Sequence, residues 1–278
     1  MPRSIWKGAI SFGLVTIPVK LFSATEEKDI SFRQVHPADG GRIKYKRVCE
    51  VDGEEVPFSE IAKGYELPDG RMVILEASDF ESLPLPTTKS VEVVQFVGQD
   101  EIDPTYFAKT YFLEADGPGT KPYVLLRDAL VKSERCALVK VALRNKENLA
   151  LIRPKDDVLL MHTMLWPDEL RDGAFAAPPA EVTVSDAEVT MAQSFIDALA
   201  GDFDPSEYTD SYRQALETVV QSKLTGVELS EASGEAPQEA EVVDLVAALR
   251  ASVEAAKQRR ADESQTTSLA SKRRKKAG

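Results

Sequence analysis

The stretch that decides the fold is IWKGAISFGLVTIPVKLF, residues 5–22. Its apolar side chains alternate in one phase up to Leu14 and in the opposite phase from Val15 onward. Alternation with a period of two is typical of a β-strand with one buried face. The change of phase predicts a β-bulge, and bulges are common where a sheet curls into a barrel. We therefore expect residues 5–22 to lie in a strongly curved sheet.

Several later segments have the same strand character. A helix is expected at 124–133, following Pro122, and it separates the first two of these strands from an antiparallel meander with loops of hairpin length. The predicted strands are 91–97, 109–115, 136–143, 149–154 and 157–165.

The region after the meander is predicted to be helical. Ser185 and Glu188 have the spacing of a capping box, which predicts a helix from there to Gly201. A second helix is expected to begin at Asp204–Pro205 and to end at Gly226, since glycine is common just past a helix end. The chain therefore combines β and α structure in successive regions.

The charges of this chain are unevenly distributed. It has 46 acidic and 34 basic residues, a net charge of −12. Residues 1–47 carry a net charge of +5 and residues 121–155 carry +6, whereas residues 48–120 carry −12 and residues 156–225 carry −11. If the two basic blocks meet in space, they form one positive surface on an acidic protein, and such a surface attracts DNA on one face only.

The most concentrated basic segment is GGRIKYKRV, residues 40–48. Glycines before it and Asp52–Gly53 after it indicate turns, so we expect a hairpin-like excursion. If residues 42–48 form a strand, Arg42, Lys44 and Lys46 share one face. The alternative is a solvated edge strand, because lysine also protects sheet edges from aggregation.

The sequence offers little for catalysis, since it contains no HExxH, CxxC, GxSxG, GxGxxG or Walker motif. The two histidines, His36 and His162, are interpreted as a turn residue and a strand residue. Asp100, Glu101 and Asp103, or Asp156 and Asp157, could hold magnesium in a nuclease, but acidic pairs in loops are far more often plain solvated turns. Two cysteines, Cys49 and Cys136, give no disulfide framework. With no signal peptide or apolar span, they favour a reducing cytoplasm.

Three segments together resemble one protein family closely. They are RSIWKGAISFGLVTIPVKLFSAT at 3–25, RIKYKRVCEVDGEEVPFSEIAKGYE at 42–66 and FDPSEYTDSYRQALETVVQSKLTG at 203–226. These segments are similar to prokaryotic Ku, the DNA-end-binding protein of bacterial non-homologous end joining. The resemblance extends over essentially all of residues 1–255.

The resemblance implies an α+β fold, an antiparallel β-barrel with long arm or bridge excursions and C-terminal helices, assembled as a ring-shaped homodimer. Such a ring is threaded by double-stranded DNA ends without sequence preference, and it recruits ligase D for repair. The family implies no enzyme activity and no cofactor. Paired cysteines that many members carry near Cys49 are absent here, so no metal is expected.

The resemblance and the charge pattern together suggest which cations contact DNA. The predicted DNA-binding residues are Arg33, Arg42, Lys44, Lys46, Arg47, Lys63, Arg144 and Lys146.

The chain is expected to divide into a core at 1–226, a linker at 227–240 and a C-terminal region at 241–278. One apolar helical stripe there is expected to bind ligase D, the alternative being that it folds back on the core; its residues are Val242, Val243, Val246, Leu249 and Val253. A cationic tail is expected to attract DNA and the nucleoid; it consists of Lys272, Arg273, Arg274, Lys275 and Lys276. A metal-dependent DNA-end nuclease and a protein-only adaptor remain the rival interpretations.

Overall fold

Seven of the strands close into a β-barrel. The computed structural model describes residues 3–81, 89–144 and 146–226. Its strands, in chain order, are β1 (Trp6–Phe12), β2 (Val15–Ser23), β3 (Lys63–Glu66), β4 (Met72–Leu75), β5 (Ser90–Val97), β6 (Phe107–Ala115), β7 (Cys136–Leu143), β8 (Lys146–Lys155) and β9 (Val158–Met164). Its α-helices are α1 (Ala77–Glu81), α2 (Thr120–Ser133), α3 (Asp186–Leu199) and α4 (Ser211–Thr225).

The order of strands around the barrel is β1-β2-β6-β9-β8-β7-β5. The barrel closes because β5 pairs with β1, and this joint is parallel, whereas every other neighbouring pair is antiparallel. The α+β class, the antiparallel barrel and the five later strands expected from the sequence are therefore confirmed, as is the helix before the meander.

The expected bulge between Leu14 and Val15 is wrong, because the chain reverses there. Phe12 pairs with Val15, so Gly13 and Leu14 form a two-residue hairpin loop between β1 and β2. Gly13 has φ +58°, and a positive φ at the first loop residue suits glycine in such a hairpin. The phase change in the sequence thus marks two strands that bury the same face of the sheet.

The barrel encloses the hydrophobic core, and one end is covered by α2. Ile10, Leu21 and Ile152 point inward and are completely buried. Tyr123 and Leu126 of α2 belong to the same apolar cluster. The inward side chains of a small barrel fill its interior. The helix α2 covers the apolar residues that would otherwise be exposed at one end.

A long excursion, residues 26–76, separates β2 from α1 and is called the arm below. It contains the antiparallel pair β3–β4 and isolated bridges at Val35–Arg42 and Val48–Glu55. The strand expected over residues 42–48 is wrong, because no ladder of hydrogen bonds extends along it. The expected hairpin-like excursion is present in irregular form.

The chain splits into two compact units, with the boundary between Asp172 and Gly173. Within the second, α3 begins at the predicted capping box, where the Ser185 and Glu188 side chains bond each other's backbone amides. The helix start expected at Asp204 is wrong: a short 3₁₀ turn follows it, and α4 begins after Asp210, whose carboxylate accepts from Arg213 N at 2.9 Å. Among the described residues, no helix is long and apolar enough to span a membrane.

Candidate nucleic-acid interface

The predicted cations of the arm lie mainly on two irregular hairpins. In the first, the Ile43 amide donates to the Gln34 carbonyl at 3.0 Å and the His36 amide donates to the Gly41 carbonyl at 2.8 Å. The Tyr45 hydroxyl also donates to the Gln34 side chain. These bonds hold the two limbs side by side although regular strands do not form.

The second hairpin spans residues 47–56. The Val56 amide donates to the Arg47 carbonyl and the Cys49 amide donates to the Glu54 carbonyl, both at 2.9 Å. Gly53 turns the chain with φ +73°, as expected from the sequence, because glycine adopts this conformation without steric cost. The single cysteine of this hairpin has no second cysteine beside it within the described residues.

The first hairpin brings Arg33 alongside the basic segment. Because Gln34 pairs with Ile43, the residues one step further along each limb, Arg33 and Lys44, are neighbours. Both are exposed, as are Arg42, Lys46 and Arg47. The structure thus gathers five of the predicted cations on one part of the arm, where they add a local positive potential.

Acidic and aromatic groups engage some of these cations. The Lys46 ammonium lies 2.6 Å from the Glu55 carboxylate. The Arg47 guanidinium lies 5.3 Å from the centre of the Phe58 ring, and the Lys63 ammonium lies 4.3 Å from that of Phe80. Within the described part of the chain, three of the predicted arm cations form no ion pair and no cation–π contact: Arg33, Arg42 and Lys44.

The other two predicted residues lie on the barrel. Arg144 follows β7 with φ +53°, and Lys146 is the first residue of β8. The Lys146 ammonium lies 3.5 Å from the Glu169 carboxylate. No hydrogen bond or ion pair between described residues joins them to the arm cations, so the predicted set forms two groups.

Two of the acidic residues considered for a nuclease, Glu101 and Asp103, have structural partners. Asp103 accepts from the Thr105 amide at 2.8 Å and from its hydroxyl at 2.6 Å, and these bonds lower the pKa of Asp103. Glu101 accepts from the Gly98 amide at 2.9 Å and lies 3.2 Å from the Arg135 guanidinium. No group of three potential metal ligands occurs among the described residues. These carboxylates act as turn caps and ion-pair partners.

A partly buried polar chain on the outer barrel face was missed by the sequence analysis. The Arg153 Nε donates to His162 Nε2 at 2.9 Å, and His162 Nδ1 lies 3.0 Å from the Thr110 hydroxyl oxygen. Burial and the neighbouring guanidinium both lower the pKa of His162. Because Nε2 accepts from Arg153, a neutral His162 ring carries its proton on Nδ1 and donates it to the Thr110 hydroxyl. The only signal in the sequence was Arg153, a charged residue within the otherwise apolar segment 149–154, which could have indicated a polar partner for His162 on the neighbouring strand.

A family model described as the Ku70/Ku80 beta-barrel domain matches residues 11–191. The chain belongs to the Ku family. Ku proteins bind DNA ends without being enzymes, which agrees with the sequence analysis.

Several curated relatives carry the family name. A "Non-homologous end joining protein Ku" of Frankia casuarinae is 52% identical over 92% of this chain and 64% of its own length. "Non-homologous end joining protein Ku 2" of Saccharopolyspora erythraea is 45% identical over 98% of this chain and 90% of its own. The Mycobacterium tuberculosis Ku is 44% identical over 91% and 95%. This chain thus spans about two thirds of the Frankia relative and nearly all of the other two.

The predictions for the C-terminal region concern residues outside the described ranges. The apolar stripe from Val242 to Val253, the cationic tail from Lys272 to Lys276 and the linker at 227–240 therefore stay predictions.

Proposed function

We propose that this protein binds the ends of double-stranded DNA without sequence preference, as a homodimeric ring threaded by the DNA, in non-homologous end joining. The observation that carries the proposal is the exposed basic cluster of the arm, Arg33 with residues 42–47. Cations on an irregular backbone suit contacts to phosphates, which are the same at every base pair. Membership of the Ku family and the names of the relatives support the same function.

Exposed apolar side chains support the homodimer. On the arm, the exposed fraction is 66% for Phe32, 77% for Phe58 and 68% for Ile74, and on α4 it is 76% for Leu224. Large apolar groups left in water are typical of surfaces that a partner covers. We infer that a second copy of the chain covers them and that the two copies together encircle the duplex.

Recruitment of ligase D is the second part of the proposal. It rests on the resemblance and on the apolar stripe at 242–253, which the sequence separates from the core by a linker. Deletion of residues 237–278 is expected to abolish stimulation of the ligase while end binding survives. We place the protein in the cytoplasm, where the nucleoid supplies its DNA.

The decisive experiment compares a linear duplex with a covalently closed circle of the same sequence, in a gel-shift assay with the full chain. Threading predicts binding to the linear form only, and blocking both linear ends with bulky hairpins should also prevent loading. Equal binding to the circle would reject threading and leave only general phosphate attraction. Binding to neither form would favour the protein-only adaptor.

A further inference from the structure

The barrel has one covered end and one open end. Tyr123 of α2 is buried, and its hydroxyl bonds the backbone of β6 and β9 at the covered end. At the opposite end, a cleft of about 400 Å³ opens between the strand ends. Ligand sites are frequent in the mouths of β-barrels, and this volume lies within the usual range for small-molecule pockets.

Inward-facing positions change from apolar to polar toward this open end. On β8, Ile152 and Ala150 are completely buried, and the next residues on the same face are Asn148 and Lys146. On β6, buried Leu113 is followed on its face by Tyr111 and then by Lys109, which lines the cleft. If the inward side chains at this end served only to fill the barrel, we would expect them to be apolar like those of the core. Their polar character suits contact with a polar ligand.

Both tryptophans of the chain line this cleft. Trp6 is partly buried and packs against the core, and its ring lies over Gly8, where an added Cβ would overlap it. Trp166 follows β9 and is also partly exposed. The Lys140 ammonium lies 5.7 Å from the centre of the Trp166 ring. Two indole rings therefore belong to the lining of the cleft.

The charged groups of the cleft are mainly cationic. Lys109, Arg144 and Lys146 line it together with one carboxylate, Glu169. Glu169 accepts from the Trp166 amide at 2.8 Å and pairs with Lys146, and both contacts lower the pKa of Glu169. Within the described residues, Lys109 and Arg144 form no ion pair. Two cations thus remain available to an anion beside the indole rings.

We propose that this cleft binds a nucleoside phosphate, with the base stacked on an indole ring and the phosphate held by Lys109 and Arg144. Aromatic rings beside cations are the equipment by which proteins hold unpaired nucleotides. The source of the ligand is either a free nucleotide or an unpaired nucleotide at a DNA end. The inference does not rest on the threading proposal, because binding of a blunt duplex is measured separately.

The two tryptophans report directly on the cleft, so the test is quenching of intrinsic fluorescence in the full chain, excited where bases do not absorb. The probes are deoxyadenosine monophosphate, deoxyadenosine, inorganic phosphate and a short single-stranded oligonucleotide of deoxyadenosine. Saturable quenching by the monophosphate, much weaker with deoxyadenosine or phosphate alone, supports a site for free nucleotides. Quenching by the oligonucleotide alone supports a site for an unpaired DNA end.

Variants assign the binding to the cleft. Lys109→Ala and Trp166→Leu should each weaken it roughly tenfold or more, and Trp166→Phe should retain most of it because a ring remains. Lys132→Ala, on α2 at the covered end, is the matched control and should bind as the parent does. Absence of saturable quenching with every probe overturns the proposal, as would happen if a second copy of the chain filled the cleft. Equal quenching in Lys109→Ala overturns it too.

Discussion

The Lys46 ammonium lies 2.6 Å from the Glu55 carboxylate, at the base of the second hairpin of the arm. Both side chains are more than half exposed. The carboxylate therefore neutralises one cation of the basic cluster in the absence of DNA. A phosphate that contacts Lys46 competes with Glu55 for this ammonium.

Glu55→Gln should tighten binding of a blunt linear duplex by roughly two- to fivefold, the range of an exposed ion pair. Amide replacement keeps the size of the side chain while releasing Lys46 to the phosphate. Titration by fluorescence anisotropy measures the change. Glu66→Gln, on β3 of the same arm, is the control with an equal change of net charge. If the affinity for the duplex rises equally in both variants, the cause is a general decrease of the repulsion between acidic side chains and DNA, and the Lys46–Glu55 ion pair has no specific effect.

Replacing Arg42, Lys44, Lys46 and Arg47 together by alanine should weaken duplex binding equally for unrelated sequences. The dependence of log K on log salt should flatten by roughly 0.9 for each phosphate that the variant no longer neutralises, because fewer counterions are released on binding. Measurements at a series of salt concentrations give the slope. The Lys121→Ala, Lys132→Ala double variant of α2 should keep the parental slope. An unchanged slope in the quadruple variant would mean that other cations neutralise the phosphates.

Tyr123→Phe should lower the free energy of unfolding by about 1–3 kcal/mol. The Tyr123 hydroxyl donates to the Leu113 carbonyl at 2.8 Å and accepts from the Leu159 amide at 2.7 Å, both in buried surroundings. The variant leaves both backbone groups without this partner. Urea denaturation measures the loss, and Tyr65→Phe on the exposed arm is the control. Equal stability of the two variants would mean that water replaces the hydroxyl at the barrel end.

Acid should destabilise the barrel through His162. The unfolded chain takes up a proton on this ring near pH 6.5, whereas the folded chain does so only at lower pH, since its pKa is lowered. The free energy of unfolding is therefore unaffected by this ring above about pH 6.5. It falls as the pH drops below about 6.5, down to the lowered pKa of the folded state. His162→Gln should show a smaller loss of melting temperature between about pH 7.5 and 5.5 than the parent. A parental pH profile in His162→Gln would contradict the assignment.

Regular strands could be predicted from the sequence because their apolar alternation reflects burial on one face. The five strands from 91 to 165 were expected, and β7 to β9 follow the predicted meander. The β1–β2 region was misread because a two-residue loop and a bulge shift the alternation in the same way. A glycine with positive φ suits either feature, and it is the pairing of Phe12 with Val15 that shows the reversal.

The arm and the barrel mouth were harder to predict, because the arm buries few side chains and the mouth combines buried apolar residues with exposed polar ones. Ile43 and Tyr45 alternate with cations as a strand would, yet both are substantially exposed and only isolated backbone bonds hold the segment. Lys109 and Trp166 line one cleft only because the closed barrel brings together residues that are distant in sequence. The basic blocks of the sequence indicated which residue types form the site, but the positions of these residues relative to one another could be known only from the folded structure.

The parallel joint between β1 and β5 has a consequence for how this molecule can vary. An odd number of strands cannot alternate in direction around a closed ring, so one joint must pair strands that run the same way. Between the two strands of this joint the chain forms the barrel strand β2 and then the arm and α1, which lie outside the barrel sheet. The entropy lost in closing a loop rises only slowly with its length. Insertions or deletions within the arm should therefore change its length and the surface that it can contact, while β1 and β5 stay paired. The arm is thus the part of the molecule that can vary without changing the barrel.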